Sequence, residues 1–349
     1  MAAFTNQNFQ LLLCFALVLL LGLWATPSLA RPLDNHKSLS IRERHELWMA
    51  RHGRVYKDQI EKEKRLNIFS KNVERIENFN GNASSNKLFT LGVNAFSDLT
   101  LKEFVATHTG YKRQFHSKSM SGYSTTNGLR FDQNLTDMPP SLDWREQGAV
   151  TPIKDQGQCG CCWAFSTVAA VEGLNQINTG QLISLSEQEL VDCVQDSNGC
   201  YGGSMTNGFE YIKQNQGLST EDEYQYQATQ GQCGATYPSD NAVTIEGYQR
   251  IPPNDEETLM QAVSQQPISI GIDANGFEFL NYNGGVFNGE CGQQINHAVT
   301  IVGYDTDTDG NNYWLLKNSW GETWGENGYM KIIRDQNQCG ITLYASYPI

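Results

Sequence analysis

The hydrophobic and polar positions of this 349-residue chain fall into a few legible blocks. The first is an unbroken apolar run of 15 residues from Leu11 to Ala25, short of the ~20 that span a bilayer. Pro27-Ser28-Leu29-Ala30 follows it, small-residue chemistry that predicts a secretory signal peptide over residues 1–30, removed near Ala30. The leading residues carry no Lys or Arg, a departure from the usual signal. Further on, Glu61, Arg65, Ile68, Phe69, Asn72, Ile76 and Asn80 recur mainly at intervals of three and four, which lays one stripe along a helix. Glu61 and Arg65 also stand in the favoured order for an i,i+4 ion pair. After a Ser/Asn-rich turn comes the string Gly92-Val93-Asn94-Ala95-Phe96-Ser97-Asp98. From Cys162 the apolar set Ala164, Val168, Val171, Leu174 and Ile177 predicts another helix, with Gly180 as its stop. Ala298–Val302 and Tyr313–Leu316 read as strands. Between them, Asp305-Thr-Asp307-Thr-Asp309-Gly310 opens like a calcium loop, but its twelfth position is Leu316 rather than Glu, so a hairpin turn is expected there.

Composition narrows the class. With 39% hydrophobic and 18% charged positions, 32 Gly and 10 Pro, the chain is neither collagenous nor disordered, and one short apolar run excludes a polytopic membrane protein. A formal charge of −13 makes nucleic acid and anionic membrane poor partners. The charge is unevenly placed. Residues 31–137 hold 18 Lys+Arg and 12 Asp+Glu, net +6, whereas residues 138–349 hold 7 and 26, net −19. The basic piece has no cysteine and ends in a Ser/Thr/Gly-rich stretch, His116 to Thr136, which reads as a linker. The chain therefore divides into a signal, a basic front piece (31–137) and an acidic, cysteine-bearing rear piece (138–349).

Cys14 leaves with the signal; the other eight cysteines all lie after residue 158, in a chain bound for an oxidising compartment. Adjacent Cys161 and Cys162 rarely reach bridging geometry, so at least one pairs elsewhere or stays free. Gln156-Gly-Gln-Cys159-Gly160-Cys161 is turn-like and puts Cys162 in the first turn of the predicted helix, where the macrodipole lowers a thiol pKa. Of the six histidines only His297 lies in the rear piece, 135 residues beyond Cys162. If that piece works by Cys/His chemistry, His297 is the base. A single histidine and the absence of a His-Glu-x-x-His string argue against a metal site of the zinc-protease kind.

The string Gln156 to Cys162-Trp163-Ala164-Phe165 resembles the nucleophile motif of the papain-like cysteine proteases, departing at Cys161, where Ser or Ala is commoner. Asn296-His297-Ala298 resembles their histidine motif, and Lys317-Asn318-Ser319-Trp320-Gly321 with Trp324-Gly325 their asparagine motif. The front-piece stripe and the Gly92–Asp98 string are similar to the inhibitory propeptide, and the doubled Cys-Cys before Trp is similar to the plant senescence-associated branch. The resemblance implies an α+β, two-lobed fold, a helical lobe plus an antiparallel barrel-like lobe, preceded by a helical propeptide. It implies Cys162 as nucleophile, His297 as its ion-pair partner and proton donor, Asn318 orienting the imidazole, and Gln156 with the Cys162 backbone N–H at the oxyanion. Trp320 would shield the His297–Asn318 bond. The family's disulfides would be Cys159–Cys200, Cys193–Cys233 and Cys291–Cys339, with Cys161 left unpaired as a small apolar side chain.

By position, Met205, Gly271, Ile295, Ala298 and Tyr344 would line the pocket for the residue two before the cut, Asn296 would flank it, and Gly202-Gly203 would offer backbone bonds. That lining predicts Leu or Val there rather than Phe or Arg. No cofactor is implied. The expected partners are protein and peptide substrates, the chain's own propeptide and cystatin-type inhibitors, and the expected state is a monomer in the vacuole or extracellular space. Asn82 and Asn134 begin glycosylation sequons, both in the front piece. The opposite charges of the two pieces predict that acid loosens the inhibitor, with cleavage near residues 132–138. Two rivals share these residues: a silent relative acting as an inhibitor-binding decoy, and a transpeptidase or ligase using the same thioester.

Overall fold

The computed structural model describes residues 39–82, 86–112, 138–234 and 243–349. The export segment, the His116–Thr136 stretch and Asn134 lie outside the described residues. Helix α1 (Ile41–Arg51) starts at a capping box, Ser40 with Glu43, and stacks His45 on Trp48 at 5.7 Å.

Helix α2 (Gln59–Gly81) starts at Asp58, whose side chain accepts from the Glu61 N–H, and ends at exposed Asn82. Leu66, Phe69, Val73 and Ile76 form its buried face. The polar half of the stripe reaches out of the helix. Arg65 bonds Glu61 at 2.7 Å, Glu103 at 3.1 Å and the Asp98 carbonyl at 3.1 Å. Asn72 donates to the Ser97 and Leu99 carbonyls, while Asn80 exchanges two bonds with the Leu91 backbone. These polar side chains satisfy the backbone of a segment with few bonds of its own. That segment comprises strand β1 (Phe89–Leu91) and the loop leading to helix α3 (Leu101–His108), which opens on a Thr100/Glu103 capping box.

The rear piece has two apolar cores. One gathers around helices α4 (Cys162–Thr179), α5 (Glu187–Cys193) and α6 (Met205–Gln214). The glycine stop is real: Gly180 caps α4 at φ +74°, a conformation a side chain would strain. The second core is a sheet of strands β2 (Leu142–Asp143), β3 (Tyr248–Ile251), β4 (Ile268–Ile272), β5 (Tyr282–Phe287), β6 (His297–Thr306), β7 (Asn312–Lys317), β8 (Tyr329–Ile333) and β9 (Ala345–Pro348). Its order is β1-β5-β8-β7-β6-β4-β9-β3, with β2 beside β6. All described pairings are antiparallel except β5 with β8. The Asp305–Gly310 string is the β6–β7 hairpin turn, closed by Asp307 accepting from the Asp309 and Asn311 N–H groups.

The front piece is built into this sheet. β1 adds to β5, pairing Phe89 with Gly285, and Ile76, Phe89, Leu91, Phe96 and Phe104 belong to the same apolar core as the sheet. The Gly92–Asp98 string docks through Gly92 N–H to the Asn281 carbonyl at 2.8 Å and the Asn94 amide to the Leu280 carbonyl at 2.8 Å. Between the cores, Ser166 of α4 donates to the Val299 carbonyl at 2.7 Å, and Ser269 donates to the Ser166 carbonyl at 2.6 Å. The first residues of α4 and β6 thus face one another across a seam.

Candidate active site

Cys162 is fully buried at the first position of α4, after an N-cap, Cys161, that makes no capping bond. Its sulfur is approached by the backbone N–H groups of Ala298, Gly110, Trp163 and Tyr111. Burial nevertheless pushes the thiol up to about 11. The helix-terminus argument led to the opposite expectation; desolvation by the covering front piece outweighs the dipole and the four amides.

His297 opens β6 and is equally buried. Its Nε2 lies 2.8 Å from Asn318 Oδ1, which also accepts from the Ser319 N–H at 2.8 Å. An oxygen held by a backbone donor must be the amide oxygen, so Nε2 carries the proton and Nδ1 is the bare nitrogen. That Nδ1 is buried without a hydrogen-bond partner among the described residues. Trp320 stacks on the ring at 4.3 Å. Burial, against the Asn318 bond and reinforced by His108, holds the imidazole down to about 4. In this closed state both members of the pair are therefore uncharged.

Gln156 is buried and held on several sides. Its amide nitrogen donates to the Cys159 carbonyl at 2.8 Å and the His108 carbonyl at 3.1 Å, and its amide oxygen accepts from Ser319 Oγ at 2.7 Å. Trp320 Nε1 bonds the same His108 carbonyl at 3.1 Å.

The front piece crosses this site at residues 110–112, where Tyr111 forms an isolated parallel bridge with Gly203. Gly110 and Tyr111 donate to the Asn296 carbonyl at 3.0 and 2.9 Å; Gly203 donates to the Gly110 carbonyl at 2.9 Å and accepts from Lys112 at 2.8 Å. Gly203, not Gly202, supplies the backbone bonds: Gly202 donates to Gly199 and accepts from Asn198. Gly202 instead permits close approach, since a Cβ there would lie 2.5 Å from the Gly110 oxygen. The Tyr111 ring lies among residues expected to line the apolar pocket. A Cβ on Gly271 would meet Ile295, Tyr111 and Tyr344, the two tyrosine rings are 5.8 Å apart, and Tyr111 packs on the core that holds Met205 and Ala298.

Disulfides join Cys159–Cys200, Cys193–Cys233 and Cys291–Cys339, and Cys161 is a buried free thiol. Behind Asn318 lies a charged network. Lys317 donates to Thr151, Thr151 to Glu172 at 2.6 Å, and Lys154 bridges Glu172 at 3.0 Å and Glu187 at 2.7 Å. Burial pushes Glu187 up to about 7 and Lys317 down to about 8. Sequence reasoning gave this network no role: Lys317 and Ser319 stand in the asparagine motif, but their partners Thr151 and Gln156 are more than 160 residues away and are brought to them only by the fold.

The model of the Papain family cysteine protease matches residues 138–349, and that of the Cathepsin propeptide inhibitor domain (I29) matches residues 45–104. The chain belongs to the papain family of cysteine proteases. It is 49% identical over 328 residues to the senescence-specific cysteine protease SAG12 of Arabidopsis thaliana, covering 92% of this chain and 93% of that one. It is 44% identical to vignain of Phaseolus vulgaris, covering 99% and 94%. Among solved structures, a recombinant stem bromelain precursor aligns with a TM-score of 0.80 at 42% identity, covering 88% of this chain and 98% of that one. The proform of the ragweed pollen allergen Amb a 11 aligns at 0.81 and 37%, covering 91% and 96%. This papain-family chain is a cysteine-type endopeptidase in zymogen form, with the papain-like α+β fold and its own inhibitory propeptide.

Proposed function

We propose that residues 31–137 are the propeptide, and that after their removal residues 138–349 hydrolyse peptide bonds through Cys162, His297, Asn318 and Gln156. The observation that carries this is the buried His297 ring, held at Nε2 by Asn318 and bare at Nδ1. Opening the site rehydrates both groups, and the thiol proton passes to the imidazole. The thiolate of Cys162 adds to the scissile carbonyl carbon, and the resulting oxyanion lies between the Gln156 amide and the Cys162 N–H. His297 then protonates the leaving amine, and water, deprotonated by the same ring, hydrolyses the thioester. Asn318 keeps the ring aimed, and Trp320 excludes water from their bond.

The segment of residues 110–112 blocks the cleft through its backbone bonds to Asn296 and Gly203. The pocket of Met205, Gly271, Ile295, Ala298 and Tyr344 takes the residue two before the cut, flanked by Asn296, with Gly203 pairing the substrate backbone. The Tyr111 ring seated there supports an apolar occupant and extends the expectation from Leu and Val to aromatic side chains. The export-like N-terminus and three disulfides support action in the secretory pathway, in the vacuole or outside the cell.

Acid treatment of the full proform at about pH 4–5, with an epoxysuccinyl thiol probe and peptide mass spectrometry, tests the reading. A labelled Cys162 with a new N-terminus near Met138 is the expected result. Processing without label would favour the decoy, label on Cys161 would reassign the nucleophile, and an arginine preference in a peptide library would refute the pocket.

A further inference from the structure

Gln156 and Cys161 bracket the turn that presents the nucleophile, and one distant side chain ties them together. The Tyr226 hydroxyl donates to the Gln156 backbone carbonyl at 2.7 Å and lies 2.9 Å from Cys161 Sγ. Its ring meets Phe165, in the first turn of α4, edge-on at 4.9 Å. A carbonyl only accepts, so the single phenolic proton points to Gln156, and the bond from Cys161 must run S–H to phenol oxygen. Burial pushes both the Cys161 thiol and the Tyr226 phenol upward, which keeps both protons in place.

We propose that Tyr226 is a positioning residue for the oxyanion side of the site, with Cys161 as its buried donor rather than an inert space-filler. The inference rests on the role assigned above to Gln156. The peptide after Gln156 leads into Gly157, whose φ of +58° gives it the freedom to swivel. The Gln156 N–H is fixed by the Ser319 carbonyl at 2.9 Å and its side chain by Ser319 and Cys159. Tyr226 fixes the remaining end, the carbonyl, and with it the direction in which the side-chain amide leaves the backbone. Because the same phenol holds Cys161, the two halves of the oxyanion site, the Gln156 amide and the N–H of Cys162, are set relative to one another. The doubled cysteine thus has a use: Ser at position 161 would supply the same donor, and Ala would not.

The test compares acid-processed wild type with Tyr226→Phe, Cys161→Ala and Cys161→Ser. Tyr226→Phe is expected to lower kcat roughly tenfold, with KM within about twofold, as for a small misplacement of an oriented group. Affinity for a peptide aldehyde, whose hemithioacetal oxygen occupies the oxyanion position, falls by the same factor. Alkylation of Cys162 by iodoacetamide, which forms no oxyanion, keeps its rate. Cys161→Ala shows the same pattern in weaker form, and Cys161→Ser restores kcat. If Tyr226→Phe does not accumulate as folded protein, the Ala and Ser variants at 161 carry the comparison. Unchanged kcat and aldehyde affinity in Tyr226→Phe and Cys161→Ala would overturn the proposal, as would an equal loss in iodoacetamide rate, which marks general damage to α4. Turnover by wild type without labelling of Cys162 would instead overturn the underlying reading and this inference with it.

Discussion

Gly110→Ala tests how the propeptide holds the cleft. An ideal Cβ on Gly110 lies 1.8 Å from the Gly160 carbonyl oxygen and 2.5 Å from its carbon. Ordinary contact begins near ~3.5 Å, so one side must retreat. Gly160 is poorly placed to do so, because its N–H bonds the Cys200 carbonyl at 2.8 Å and the Cys159–Cys200 disulfide pins its neighbour. The propeptide strand lifts instead, breaking two to four of the backbone bonds that Gly110, Tyr111 and Lys112 make with Asn296 and Gly203. At a net ~1 kcal/mol each, this is about 2–4 kcal/mol, or about 30- to 1,000-fold more open cleft. The assay is the rate of epoxysuccinyl labelling of Cys162 in the intact proform at neutral pH, with intact mass confirming that the propeptide is still attached. Gly81→Ala, where nothing lies within 4 Å of the added carbon, is the control and keeps the wild-type rate. Labelling of Gly110→Ala no faster than wild type would refute the steric argument.

Two further outcomes follow from buried charge. His297 is held down to about 4 in the closed proform by burial and by the charge of His108, against the bond its Nε2–H donates to Asn318, whereas an opened, hydrated ring returns toward ~6.5. The open state then binds the proton more tightly, so acid favours opening between those two values, by up to about tenfold per pH unit. Hydrogen exchange over residues 108–112 in a Cys162→Ala proform measures this; a profile that His297→Gln leaves unchanged would assign the response to carboxylates instead. Glu172→Ala removes the acceptor of Thr151, Lys154 and the Leu185 N–H and strands buried cations, at a cost of about 3–5 kcal/mol in denaturant unfolding. A loss below about 1 kcal/mol would show the network to be dispensable.

Elements with local causes were readable in advance. The Ala164-to-Ile177 spacing and Gly180 delimit α4, because a helix's period and stop are properties of neighbouring residues. His297 was found by elimination, and the stripe on α2 by its period. What that stripe's polar members do was not readable: Arg65, Asn72 and Asn80 reach backbone groups 11 to 33 residues away. Periodicity names a face but not the partner it meets.

The linear order thus determined the two oppositely charged pieces, the nucleophile helix, and the candidate set Cys162, His297, Asn318 and Gln156. Tertiary structure decided which atoms of that set are held and which are bare. It sets Tyr111 against Tyr344, gives the backbone bonds to Gly203 rather than Gly202, and brings Tyr226 onto Gln156 from 70 residues away. It also reversed the expected thiol pKa. The helix dipole is local and can be read from sequence, whereas desolvation depends on what finally covers the sulfur, and here the cover comes from the other half of the chain.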